Sequence, residues 1–152
     1  MTKTLINIIC IALFGFLFSC NKKSNIQPTN LPVISISSGN EVNFGEGKAD
    51  KDITIEFKAD GLIEHAVVTF PMQGLGISVE LSKVPETPEA KEAQKVLLDG
   101  ELPEKVKGAT KAFAFLKKGV INDLKRGEQL FTFELIDRNG NHVWQDLIIN
   151  VY

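Results

Sequence analysis

The sequence predicts an all-β fold: an antiparallel sandwich of about seven strands with a short helical insertion near residues 88–98. Three observations carry this reading. Short apolar runs of four to eight residues recur from Pro32 onward and are separated by turn residues. Within several runs, apolar and polar side chains alternate with the period of two that marks a half-buried strand. At Thr87 the period changes to that of a helix and then changes back.

The elements follow in order. Val33–Ile36 is a first strand, with Ile34 and Ile36 on one face. Ile53–Ala59 is the cleanest alternation in the chain: Ile53, Ile55, Phe57 and Ala59 face inward, while Thr54, Glu56 and Lys58 face water. Asp60-Gly61 supplies a turn. Ile63–Phe70 is rich in β-forming residues and Pro71 ends it, and Ile77, Val79 and Leu81 alternate with Ser78 and Glu80. Thr87-Pro88-Glu89 is a helix start, with Thr as N-cap, Pro in the first turn and Glu near the positive helix end. Ala90, Ala93, Val96 and Leu97 then recur at helical spacing, and Gly100 stops the helix. The charged face (Glu89, Lys91, Glu92, Lys95) is expected in water. A loop through Pro103 and Gly108 leads to strands at Lys111–Leu116 and Leu130–Ile136, the latter with Phe131, Phe133 and Leu135 on one face. Asp137-Arg138-Asn139-Gly140-Asn141 holds an Asn-Gly hairpin signal, and Val143–Tyr152 is the last strand. Seven short strands at such spacing fit a sandwich.

The first 31 residues have a different character. Lys3 precedes an apolar stretch, Leu5–Phe18, of about 21 Å as a helix, against a hydrocarbon core of about 30 Å. That is short for a span and suits a removable leader. Leu17-Phe18-Ser19-Cys20 resembles a bacterial lipoprotein box, with an aliphatic residue three before the cysteine and a small residue just before it. Phe18 departs from the pattern, which favours a small residue there. The resemblance implies cleavage before Cys20 and lipidation of Cys20. The division is then 1–19 signal peptide, 20–31 lipidated cysteine and tether, and 32–152 domain. The tether opens Asn21-Lys22-Lys23; Asn in place of Asp after the cysteine implies the outer membrane. No acid occurs before Glu41, which favours the periplasmic face over the cell surface.

The domain has 121 residues, enough for a single core. The chain holds two cysteines, Cys10 and Cys20, and neither lies in the domain. A disulfide, a thiol nucleophile and a cysteine-metal site are thereby excluded from it, and stability must come from packing. Three of the 17 basic residues (Lys3, Lys22, Lys23) and none of the 19 acidic ones precede residue 32, so the domain carries a net charge of −5. No basic stripe is present for nucleic acid to bind.

Phe131-Thr132-Phe133-Glu134-Leu135-Ile136-Asp137-Arg138-Asn139-Gly140-Asn141, closing on Leu147–Val151, resembles the final hairpin of bacterial immunoglobulin-like domains. Leu124 and Gly127 resemble its lead-in. With Ser-Cys-Asn-Lys-Lys at the tether, the chain is similar to Bacteroidota-type lipoproteins made of one such domain. The resemblance implies a fold and carries no catalytic residues.

Catalytic and phosphate-binding motifs are missing, and no cofactor is expected. His65 follows Glu64, which sets the two on opposite faces of a strand and makes a poor acid–base pair. His142 lies just past a turn, near Asp137 and Asp146. Asp137, Asn139 and Asn141 superficially resemble a calcium loop, but Gly140 and Ile148 occupy the wrong places for one of EF-hand type. The binding candidates are aromatic and apolar. Trp144 and Tyr152 are eight residues apart on the last strand and share a face. Exposed, they would stack on sugar rings, whereas the general rule for large aromatics places Trp144 in the core and Tyr152 as a terminal plug. Met72 and Leu75, in a glycine-rich turn, would either meet a protein partner or tuck over the core. The expectation is a non-catalytic, lipid-anchored envelope module that binds an envelope protein or a glycan. A small calcium-dependent or hydrolytic protein is the alternative, and a structural spacer is the third reading.

Overall fold

A computed structural model describes residues 30–72 and 75–152. The leader, Cys20 and the tether up to residue 29 lie outside the described residues. So do the side chains of Met72 and Leu75, whose backbones pair across a strand turn.

The described residues form two packed sheets. One has the strand order β1-β3-β6 and the other β2-β8-β7-β4-β5. The strands are β1 (Val33–Ile36), β2 (Glu41–Phe44), β3 (Ile53–Lys58), β4 (Ile63–Met72), β5 (Leu75–Glu80), β6 (Lys111–Leu116), β7 (Gly127–Asp137) and β8 (His142–Val151). Helix α1 spans Pro88–Leu97 and the short α2 spans Lys118–Asn122, with a 3₁₀ turn at Pro103–Lys105. The fold is thus a mostly-β open sandwich of eight strands.

Two elements depart from the sequence reading. β2 was not predicted, because only Val42 and Phe44 mark its inward face. It arises where the chain leaves β1, turns at Gly39 (φ +78°) and crosses to the other sheet. There it lies parallel to β8, with Glu41 opposite Ile148 and Phe44 opposite Val151. The sandwich is therefore not purely antiparallel. α2 is five residues long, too short to show a period, and its one buried side chain is Ile121.

This connectivity is that of the immunoglobulin plan. The first two strands are shared out between the sheets, β1 to one and β2 to the other; β3 and β6 pair in the first, and β7 and β8 join β4 in the second. The strand that usually borders β6 is replaced by the segment holding α1. α1 packs on β5 and β6, one edge strand from each sheet, and so covers the side left open. Thr87 Oγ1 accepts from the Ala90 amide at 3.2 Å, and Gly100 (φ +82°) donates to Lys95 O at 2.9 Å. Buried Gln94 ties the helix down by donating to the carbonyls of Glu80 (2.6 Å) and Lys83 (2.7 Å).

The inward faces match the alternation. Ile53, Ile55, Phe57 and Ala59 are buried, as are Phe131, Phe133 and Leu135. Phe57 and Phe133 meet edge to face, with centroids 6.5 Å apart and rings at 65°. They sit on the two strands that antibody domains join by a disulfide. Here a pair of aromatic rings bridges the sheets instead. A bulge in β4 places both Glu64 and His65 between the inward Ile63 and Ala66.

Candidate functional site

The two ends of the sandwich are built from different chemistry. At one end, the β3–β4 turn meets the β7–β8 loop. Asp137 is 1% exposed, and its carboxylate accepts from the Asn139 amide (2.9 Å), the Asn141 amide (2.9 Å) and Asn141 Nδ2 (2.8 Å). Burial pushes the Asp137 carboxyl up, but the bonds from Asn141 and Asn139 outweigh it and hold the group below the ordinary aspartate range. The loop is a three-residue hairpin: Gly140 donates to Asp137 O at 3.0 Å and alone takes positive φ, at +81°. The Asn-Gly pair is thus not a two-residue turn with both residues left-handed, because Asn139 keeps negative φ. Asp137 aims its oxygens at N–H donors of its own loop. Among the described residues, no group of three or more His, Cys, Asp and Glu converges as a metal site would need.

Gly61 and Leu62 complete this end. A Cβ on Gly61 would lie 2.3 Å from Asn139 Nδ2 and 2.6 Å from Asp137 Oδ2, so the turns touch only because residue 61 has no side chain. Leu62, not Gly61, takes the positive φ of +66°. Around the rim, Glu64 meets Lys107 Nζ (2.8 Å) and Arg138 Nε (3.5 Å). The hydrogen bond from Lys107 chiefly holds the Glu64 carboxyl below its ordinary range.

The outer face of the five-stranded sheet carries the aromatic candidates. Trp144 is 66% exposed and Tyr152 65%. The general rule for large aromatics is overturned here by the phase of β8. Leu147, Ile149 and Val151 are buried and therefore set the odd-numbered positions inward, which turns Trp144 and Tyr152 outward. That phase is readable in the sequence. Trp144 stands opposite Glu134 on β7, and its ring centroid is 5.6 Å from that of His142. His142 Nε2 in turn lies 3.4 Å from Glu134 Oε2. In the adjoining row Thr132 Oγ1 donates to Asp146 at 2.7 Å, and the hydroxyls of Thr69 and Ser78 share a bond of 2.8 Å. Tyr152 lies eight residues along the strand, about 27 Å from Trp144 at 3.4 Å per residue. Its hydroxyl donates to Asn43 Oδ1 at 2.7 Å, which pins the ring while leaving its face open. His65 also lies on this sheet, 3.2 Å from Glu80 Oε2; the β4 bulge removes the strict alternation that would set Glu64 and His65 on opposite faces, and both lie between the inward Ile63 and Ala66.

The opposite end of the sandwich is apolar. Between the sheets, beneath α1 and α2, lies a cleft of about 260 Å³ whose floor is Phe131, Leu116 and Leu97. Phe70 stacks on Phe131 with centroids 6.4 Å apart. Val96 belongs to the apolar stripe of α1, yet it is exposed and lines the mouth of this cleft. Helical spacing puts Val96 on the apolar stripe but does not show whether anything covers it.

Fold and surfaces together define an immunoglobulin-like sandwich that is sealed at one end and open at the other. No protein-family model matches the chain, and no curated protein matches it. Among solved structures it is similar to murine CRIg, an immunoglobulin-like domain, at 14% identity and a TM-score of 0.42, over 81% of this chain and 99% of that one. It is also similar to a Niemann-Pick type C2 protein from the Japanese carpenter ant, at 7% identity and a TM-score of 0.41, over 82% and 95% of the two chains. A third likeness is to OgpA from Akkermansia muciniphila, at 13% identity and a TM-score of 0.35, over 80% of this chain and 28% of that one. Likeness at this level assigns no activity.

Proposed function

We propose that the protein is a lipid-anchored, non-catalytic binding module of a bacterial envelope, held through Cys20 on the periplasmic side of the outer membrane, and that the outer face of its five-stranded sheet engages a glycan. One observation carries the choice of ligand: Trp144 is two-thirds exposed on that face, among polar groups that both donate and accept. An indole face stacks on the C–H face of a sugar ring, while Glu134, Asp146 and Thr132 lie in reach of its hydroxyls. The spacing to Tyr152 suits a linear chain of several sugars rather than one. An envelope protein is the other partner for the same face.

Binding of envelope polysaccharides to the purified protein, followed by calorimetry, tests this reading. Trp144→Ala is expected to weaken a bound glycan about tenfold, near 1.4 kcal/mol, with the melting temperature unchanged. Binding that ignores this substitution excludes the glycan face. The anchor is tested separately by metabolic labelling with a fatty-acid probe. Cys20→Ala is expected to abolish both label and membrane fractionation, and a variant that keeps both refutes the anchor.

A further inference from the structure

We infer that the apolar cleft at the open end is a binding site for a single aliphatic chain, such as the tail of a fatty acid or another single-tailed amphiphile. The cleft is half open to solvent, and its buried floor is drawn from both sheets and from α1, through Phe131 of β7, Leu116 of β6 and Leu97. Among the described residues no polar side chain reaches inside; Glu92 stands on the exposed face of α1, at the rim. The part of a ligand inside the cleft is therefore held by apolar burial. An apolar cavity of about 150 Å³ accepts benzene, and about 260 Å³ is ample for a longer hydrocarbon.

The shape points to a chain with a polar head. A second depression of about 310 Å³ adjoins the first and shares Phe70 and Val120 with it. Its far side carries Asp123 and Lys125, so apolarity gives way to charge along one continuous path. Lys117, by contrast, is held by Asp99 (2.8 Å) and Asp52 (3.3 Å). Lys125 makes no ion pair among the described residues, and it can meet an anionic head.

The occupant is a free amphiphile, whose tail fills the apolar cleft and whose anionic head meets Lys125 in the adjoining depression.

The test titrates dodecanoate, by calorimetry and by displacement of an apolar fluorescent dye, into the protein as cells process it and into Cys20→Ala. Saturable one-to-one binding to both is expected. Ala93→Trp, which fills the cleft from α1, is expected to weaken it at least tenfold. Val120→Asp, at an exposed position, is expected to do the same without disturbing the fold, as checked by an unchanged melting temperature. Lys125→Ala should weaken dodecanoate severalfold while leaving dodecan-1-ol unchanged. Absence of saturable binding overturns the site, and so does binding that survives Val120→Asp. If only Cys20→Ala binds, the cleft already holds the protein's own lipid, and the free-ligand assignment falls.

Discussion

The sealed end and the open end of this sandwich close the same gap between the same two sheets with opposite means. At the sealed end, the loops meet through hydrogen bonds: a buried carboxylate satisfied by three N–H donors, a glycine that lets two turns touch, and a rim of Glu64, Lys107 and Arg138. At the open end, helices cover the gap by apolar contact, and the cover is incomplete. Hydrogen bonds in a buried loop need every partner, so their loss is expensive. Apolar cover tolerates a vacancy, because a missing contact forfeits only dispersion and a little burial. The sealed end is therefore expected to govern stability, and the open end is free to bind.

The sharpest way to break this contrast is Asp137→Ala. It leaves two backbone amides and the Asn141 side-chain amide without their acceptor in a buried loop, and is expected to cost about 3 kcal/mol in chemical denaturation. A loss below about 1 kcal/mol would mean that the loop does not hold the end together. The same residue makes stability depend on pH. Its folded pKa lies below the ordinary value, so its contribution is present above that value and is lost as pH falls through the depressed one. The melting temperature of the native protein should fall more steeply below about pH 4 than that of Asp137→Ala. Parallel acid limbs would place the acid sensitivity elsewhere.

Gly61→Ala comes next. The new Cβ meets Asn139 and Asp137, and the side chain of Asp137 cannot yield without breaking its bonds. The expected loss is about 2 kcal/mol, read as a shift in the denaturation midpoint. The smallest effect belongs to the open end. Val120→Ser removes exposed apolar surface at the mouth of the cleft and should change stability by less than about 0.5 kcal/mol. A larger loss would show that the cleft rim is structural, and the contrast between the ends would then weaken.

Legibility in the sequence followed the length of each pattern. Ile53–Ala59 and Phe131–Leu135 alternate long enough to declare both strand and inward face, and both are buried as read. The α1 boundaries were legible from Thr87, Pro88 and Gly100, because capping is local chemistry. β2 and α2 were not, since two inward residues or five helical ones make no period. For Trp144 the signal was present but a general rule overrode it: the phase of Leu147, Ile149 and Val151 turns it outward. Met72 and Leu75 lie outside the described side chains.

The sequence by itself determined the strand faces, the capped helix and a domain free of cysteine, because each depends on neighbours a few residues apart or on composition alone. Only the tertiary structure decided which strands share a sheet, that β2 runs parallel to β8, and that Gly61 must be small so that a turn some 75 residues distant can touch it. It alone revealed that α1 stands where a strand would and leaves a cleft beneath it. Those are relations between segments remote in the chain, set by how two sheets pack rather than by the pattern within either.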